Sequence, residues 1–222
     1  MPPPTVGPGS PLLTTSTAEE LATVLEQARL LGFLGPGPVA DQIQRALAFT
    51  VVAGNAPELA IDMGTGGGLP GLVLAAAWTS SHWLFVDSNQ RRCRWLEAAV
   101  GQLALTGRCE VLCERAEVLG RGTKRHSADL VTARSFGPPS PTAECAAPLL
   151  RLGGQLLVAD PPGPGPGRWP SDGLAIFGLV LQASLQVATP AGPASFSRIV
   201  SASRCPDSYP RRVGLPFKRP LF

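Results

Sequence analysis

Histidine is nearly missing from this chain, with two in 222 residues. Its five cysteines are scattered, and only Cys109 and Cys113 lie close in sequence. A zinc site needs several such ligands at short spacing. No second cysteine or histidine pair supports Cys109 and Cys113, so no metal is expected. An odd, dispersed set of cysteines reads as reduced, buried thiols of a cytoplasmic protein rather than a disulfide framework. No apolar run reaches the ~18 residues that could cross a bilayer. The first 11 residues lack both a basic segment and an apolar core, so neither a membrane span nor a signal peptide is expected. Charged residues are also sparse at 16%, against 44% hydrophobic, which describes a globular and rather apolar chain. A net charge of +3 does not by itself indicate a nucleic-acid partner.

Glycine and proline are abundant, 25 and 24. They gather in the N-terminal arm, in residues 161–170 and in the C-terminal tail, as loops and linkers do. Between these runs, helical and strand periodicities alternate. Thr17 with Glu20 has capping-box character and opens a helix over 17–31, with Leu21, Val24, Leu25, Ala28 and Leu31 on one face. A second helix covers 39–52. Strands follow at 59–63, 83–86, 110–113, 129–133 and 155–158. Helices are expected at 70–77, from the Ser88-Asn89 cap to 105, at 142–150 and at 174–181, with late strands near 185–187 and 197–201. Strand–helix alternation implies a mostly parallel sheet covered on both faces. We divide the chain into an N-terminal arm with helices (1–56), an α/β domain (57–205) and a basic tail (206–222).

The densest chemical signal is Asp62-Met63-Gly64-Thr65-Gly66-Gly67-Gly68-Leu69-Pro70-Gly71. An apolar strand ends in an acid, a glycine turn follows, and a helix begins. Gly66-x-Gly68-x-x-Gly71, with Asp87 about 20 residues on, matches a dinucleotide fingerprint. A pyrophosphate, however, needs free N–H groups and a positive helix end, and Asp62 would repel it. An acid at that place suits a cationic ligand, and S-adenosylmethionine carries a sulfonium and an ammonium group. In a parallel sheet, ligands sit at the carboxyl ends of the strands. The candidates there are Asp62, Gly64, Gly66 and Gly68, then Asp87, Ala116, Glu117 and Arg134. Asp87 can accept from two ribose hydroxyls. Arg134 stays protonated and cannot act as a base, which suits a methyl acceptor needing no deprotonation, such as guanine N7. From Arg198 onward six basic residues face one acid, with Tyr209, Phe217 and Phe222 interleaved. That is the composition of an RNA backbone-binding strip, with Arg211, Arg212, Lys218 and Arg219 as its phosphate contacts.

Together these residues resemble the bacterial 16S ribosomal RNA guanine-N7 methyltransferase family, the glucose-inhibited division protein B family. Its Asp-x-Gly-[Ser/Thr]-Gly-x-Gly-Leu-Pro-Gly loop is residues 62–71 here. Asp87-Ser88-Asn89-Gln90-Arg91-Arg92 resembles its Asp-Ser-x-x-Lys-Arg, Arg115-Ala116-Glu117 its Arg-Ala-Glu, and Ala133-Arg134-Ser135-Phe136 its Ser-Arg-Ala-Phe. Residues 210–221 are similar to its Arg-Arg-x-Gly-x-Pro-x-Lys-x-Pro-Leu tail. The resemblance implies a class I S-adenosylmethionine-dependent methyltransferase fold: Rossmann-like, with a mostly parallel seven-stranded sheet and a short N-terminal helical region. It implies cofactor contacts at Gly64, Leu69, Ala116, Glu117 and Arg134, and action on ribosomal RNA or the small ribosomal subunit; a monomer is expected. Two departures stand out: the family's N-terminal Trp-Asn…Asn-Leu-Thr motif is missing, and Ala159-Asp160 replaces its Lys-Gly. A methyltransferase for another RNA or a small molecule, and a non-catalytic cofactor-binding RNA module, are the alternatives.

Overall fold

The computed structural model describes residues 13–162 and 167–222. The first 12 residues, where no signal peptide is expected, and residues 163–166 of the Pro/Gly run lie outside the described residues. The elements run α1 (Thr15–Leu30), α2 (Val39–Ala53), β1 (Leu59–Met63), α3 (Gly71–Ala77), β2 (His82–Val86), α4 (Gln90–Gln102) and β3 (Cys109–Leu112). They continue with α5 (Ala116–Leu119), β4 (Ala128–Arg134), α6 (Pro139–Ala146), β5 (Leu150–Asp160), α7 (Ser171–Ala175), β6 (Leu179–Val187), β7 (Ala194–Ser201) and α8 (Leu215–Lys218).

The seven strands form one sheet in the order β3-β2-β1-β4-β5-β7-β6. The first five are parallel, and β7 runs antiparallel to both β5 and β6. The chain builds outward from β1 to β3 and then returns to place β4 on the other side of β1. That reversal opens a crevice at the carboxyl ends of β1 and β4.

Strand alternation sorts side chains between two apolar clusters. Trp83 and Phe85 of β2 join Leu21, Leu25, Phe49, Leu72 and Leu96 under α1 to α4. Ile61, Met63, Leu84 and Val86 join Val131, Leu156, Phe177 and Ile199 on the opposite face. Burial on both faces is why these strands read as near-continuous apolar runs. The Phe49 and Phe196 rings meet edge to face at 4.8 Å, which ties α2 to β7. Such a pair contributes roughly 0.5–1.5 kcal/mol beyond its area burial.

Several expectations shift. The N-cap of α1 is Thr14, whose hydroxyl accepts from the Thr17 N–H at 3.1 Å, so Thr17 lies inside the helix rather than capping it. The helix expected over 142–150 starts earlier, at Pro139, and Leu150 already belongs to β5. The helix expected over 174–181 is a short α7 followed by β6. Gly178 divides them with φ of +74°, and a Cβ there would lie 2.5 Å from the Ser203 carbonyl oxygen. All five cysteines are free, and four of them are buried; Cys113 is exposed.

The basic tail is packed onto the domain. Arg125 donates to the carbonyls of Cys205, Pro206 and Tyr209 at 2.9, 3.1 and 2.7 Å, and Arg121 donates to that of Pro210 at 2.8 Å. Arg211 grips Glu144 with both arms of its guanidinium, Nε to Oε1 at 2.9 Å and a terminal nitrogen to Oε2 at 2.6 Å. Its own N–H adds a third bond at 2.8 Å. The Glu144 side chain is wholly buried. Arg211, expected as a phosphate contact, is thus paired with a buried carboxylate of the fold. Arg212, Lys218 and Arg219 are exposed, and their side chains form no ion pair among the described residues.

Removing one partner of a buried pair strands the other charge at a cost of ~3–5 kcal/mol. Arg211→Ala should therefore lower the stability measured by urea denaturation by about that much, while Arg212→Ala should stay within about 0.5 kcal/mol. Equal, small effects for both would place the tail's anchorage elsewhere.

Candidate active site

The parity of β1 decides where Asp62 points. It shares the α3 face with Ala60, while Ile61 and Met63 take the other. Its Oδ1 accepts from the Thr132 hydroxyl at 2.8 Å, and its Oδ2 accepts from the Gly71 N–H at 3.0 Å. A Cβ at position 71 would stand 2.6 Å from that Oδ2, so glycine is what lets the first turn of α3 come this close. Both carboxylate oxygens are therefore engaged by the protein, where the sequence suggests an acid facing a cationic ligand. It ties β1 to β4 and to α3. Burial pushes its pKa from 3.8 up to about 6, against the opposing pull of hydrogen bonds from Thr132, Gly71 and Thr65 and the charge of Arg134.

The loop between Asp62 and Gly71 docks on the end of β2. The N–H groups of Gly64 and Thr65 both donate to the Val86 carbonyl, at 2.8 and 3.0 Å. Asp87 then accepts the Gly66 N–H on Oδ2 at 2.9 Å and the Asn89 N–H on Oδ1 at 2.8 Å. Arg92 approaches the same carboxylate at 3.7 Å. Asn89 caps α4 by accepting from the N–H groups of Arg91 and Arg92. Glu117, in the first turn of α5, accepts the Gly214 N–H at 2.9 Å. The C-terminal tail thus reaches the end of the sheet and adds Phe217, whose ring lies 5.6 Å from that of Phe136.

Two cavities result. One of about 310 Å³ is lined by Gly64, Asp87, Ala116, Glu117, Phe136 and Phe217. The second, of about 610 Å³, lies between α2 and the ends of β4, β5 and β7, and is lined by Gln42, Arg45, Phe49, Arg134, Asp160 and Arg168 among others. Ser135 and Phe136 line both, so the chain just after β4 is their common wall. Ser135 adopts φ of +55°, a conformation that non-glycine residues take at a cost and that clusters at functional turns.

Of the residues expected at the site, Gly64, Asp87, Ala116 and Glu117 meet in the smaller cavity, and Arg134 lines the larger. Asp62, Gly66, Gly68 and Leu69 line neither of these two cavities. Gly66 bonds Asp87, and Leu69 is buried in the apolar cluster under α3. Gln42 is a site residue that periodicity did not single out. Its Oε1 accepts from Arg134 at 2.9 Å, and its Nε2 donates to the Gly35 and Gly37 carbonyls at 3.2 and 3.4 Å. A glutamine among the mostly apolar buried residues of α2 was the available signal. Burial lowers the pKa of Arg134, partly offset by the charge of Asp62, and Arg45 lowers it further. Among the described residues no cluster of three or more histidine, cysteine or acidic residues could hold a metal ion. No described helix is long and apolar enough to cross a membrane.

The family described as rRNA small subunit methyltransferase G matches residues 38–160. Its named members include ribosomal RNA small subunit methyltransferase G of Synechococcus sp. (strain CC9902), 34% identical over 185 residues that cover 79% of this chain and 74% of that protein. The same-named protein of Synechococcus sp. (strain CC9311) is 40% identical over 72% of this chain and 65% of its own length. That of Syntrophomonas wolfei is 33% identical over 72% and 76%. The fold is that of class I methyltransferases. An O-methyltransferase from Bacillus cereus, solved in complex with SAH, superposes with a TM-score of 0.55 at 16% identity, covering 84% of this chain and 91% of that one. The O-methyltransferase TomG from Streptomyces achromogenes, in complex with SAM, gives 0.56 at 15% identity over 86% and 91%.

The raised pKa of Asp62 carries a sign. The native state binds this proton more tightly than the unfolded chain, so folding takes up a proton between about 6 and 3.8. Wild-type stability, measured relative to Asp62→Asn, should rise as pH falls through that window, by up to roughly 3 kcal/mol. Urea denaturation at pH 7 and pH 4 checks this. A difference between the two proteins that stays flat with pH would show that Asp62 is not so deeply desolvated.

Proposed function

The chain belongs to the rRNA small subunit methyltransferase G family, and on that premise we propose that it transfers a methyl group from S-adenosylmethionine to N7 of a guanine in 16S ribosomal RNA. The observation that carries this reading is the pair of cavities sharing the Ser135–Phe136 wall, the smaller lined by Asp87, Glu114 and Glu117 with Arg92 and Arg115, the larger by Arg45, Arg134 and Arg168 with Asp41 and Asp160. The smaller one suits the cofactor. Small side chains at Gly64 and Ala116 leave room, and carboxylates at Asp87 and Glu117 offer acceptors. Each Asp87 oxygen takes one backbone N–H and retains a lone pair, so Asp87 can accept ribose hydroxyls without releasing the loop. S-adenosylmethionine, when bound, supplies an electrophilic methyl on its sulfonium.

The protein has correspondingly little proton chemistry to perform. Among the described residues no histidine, lysine, tyrosine or cysteine lines either cavity, and the only ionisable acceptors there are carboxylates, Asp41 and Asp160 in the larger one and Asp87, Glu114 and Glu117 in the smaller. Guanine N7 needs no such base, because its in-plane lone pair carries no proton. Catalysis then rests on holding the purine in line with the methyl, and orientation of this kind supplies much of the barrier reduction. Arg134 donates a single hydrogen bond to the purine O6, clear of N7, while a terminal nitrogen of its guanidinium stays bonded to Gln42. Asp62 acts as a positioning residue, since it touches the loop and β4 but neither cavity. The exposed Arg212, Lys218 and Arg219 contact RNA phosphates outside the site. The reaction takes place in the cytoplasm, on ribosomal RNA or the small subunit.

The direct test incubates the protein with S-adenosylmethionine and unmethylated small-subunit RNA or subunits, then maps N7-methylguanosine by chemical cleavage. One methylated guanine in 16S RNA is expected. Methylation at another atom, or none on either substrate, contradicts the proposal. For the tail, the triple variant Arg212→Gln, Lys218→Gln, Arg219→Gln should flatten the plot of log K against log salt by up to ~2 units, at about 0.7 for each phosphate no longer neutralised. An unchanged slope would remove these residues from the RNA interface.

A further inference from the structure

We propose that Arg168, held in place by Asp160, binds a phosphate of the RNA strand at the nucleotide being methylated. The inference rests on reading the larger cavity as the site of the guanine. Asp160 ends β5, and its side chain is 1% exposed. Its Oδ1 accepts from Arg168 Nε at 2.9 Å, and its Oδ2 accepts from the Ser197 hydroxyl of β7 at 2.6 Å. Both oxygens are therefore engaged by the protein, and this acid serves as an anchor. Trp169, the next residue after Arg168, is buried in the second apolar cluster and anchors the chain beside it.

With Nε pinned, the other edge of the guanidinium is left over. Its two terminal nitrogens bond no described residue, and the side chain is 28% exposed at the cavity wall. Burying a carboxylate to orient a single cation brings little stability, because desolvation offsets most of the attraction. The arrangement makes sense if the oriented edge meets a ligand. Arg45 and Arg134 line the same cavity, so an anion entering it meets three guanidinium groups against the carboxylates of Asp41 and the already engaged Asp160.

Two partners in a guanine nucleotide suit a planar fork. One is the O6/N7 edge of the base. A fork placed there would occupy the N7 lone pair that must attack the methyl, so Arg168 on that edge is incompatible with transfer to N7. The other is a pair of phosphate oxygens, which a guanidinium matches in spacing and charge.

The test compares wild type with Arg168→Gln and with the double variant Arg168→Gln/Asp160→Asn, which leaves no unpaired buried carboxylate. Methyl transfer is followed on unmethylated small-subunit RNA or subunits, with RNA affinity measured across salt and cofactor affinity by calorimetry. The double variant should raise KM for RNA about tenfold, as expected when one charge-assisted hydrogen bond is removed. Its salt slope should fall by about 0.7, with S-adenosylmethionine affinity unchanged. A folded double variant with wild-type KM and slope overturns the role of Arg168. A loss of cofactor affinity also overturns it, since the pair would then be shaping the cofactor cleft. If wild type itself forms no N7-methylguanosine, the functional reading has failed, and the salt slope of RNA binding still decides whether Arg168 holds a phosphate.

Discussion

The buried carboxylate of Asp62 joins β1, β4 and α3, and so fixes the glycine loop that lines the smaller cavity and the stretch after β4 that walls both. It takes one hydrogen bond from the β4 residue Thr132 and one from Gly71, where α3 begins. Removing a carboxylate from water is costly, and the raised pKa of this group records that cost. Two donors and the nearby charge of Arg134 offset part of it. The consequence is geometric: with both ends tied, the glycine loop has little freedom, and its N–H groups are delivered to Val86 and Asp87. Thr132 lies two residues before Arg134, so the same carboxylate helps set the stretch that walls the second cavity.

A second constraint comes from the far end of the chain. The tail crosses α6 and is fastened by the Glu144–Arg211 pair, by Arg125, and by Ser140, which accepts the Leu221 N–H at 2.8 Å. Between those anchors, Gly214 donates to Glu117 and Phe217 closes the wall of the smaller cavity. Charge of one sign in the tail therefore does two jobs. Arg211 is spent on the fold, and the cations after it face solvent. One element thereby connects the surface proposed for RNA to the cleft proposed for the cofactor.

The order of strands and helices is legible in the sequence because apolar periodicity and glycine turns are local signals. The loop at 62–71 stands out for the same reason, as do Asp87 and Arg134 at strand ends. What escapes depends on residues far apart in sequence. The charge run at 198–219 gives no hint that Glu144, 67 positions before Arg211, claims it. An acid before glycines suggests a ligand-facing carboxylate, yet the parity of Asp62 with Ala60 assigns it to the α3 face. Residues 174–181 carry an apolar pattern that suits either a helix or a buried strand. Gly178 and the pairing of β6 with β7 resolve it. Gln42 is hidden in a helix whose apolar stripe dominates its pattern. Its role emerges only when the Gly35 and Gly37 carbonyls and Arg134 are brought around it.

The central claim is that the glycine loop, the Ala116–Glu117 turn and the C-terminal tail enclose a single cofactor cleft. Amide hydrogen exchange with and without S-adenosylmethionine tests it directly, because local opening is read segment by segment. The account predicts that the cofactor slows exchange at residues 64–68, 114–117 and 212–217 together. Protection confined to the larger cavity around residues 36–45, with those three segments unchanged, would contradict it.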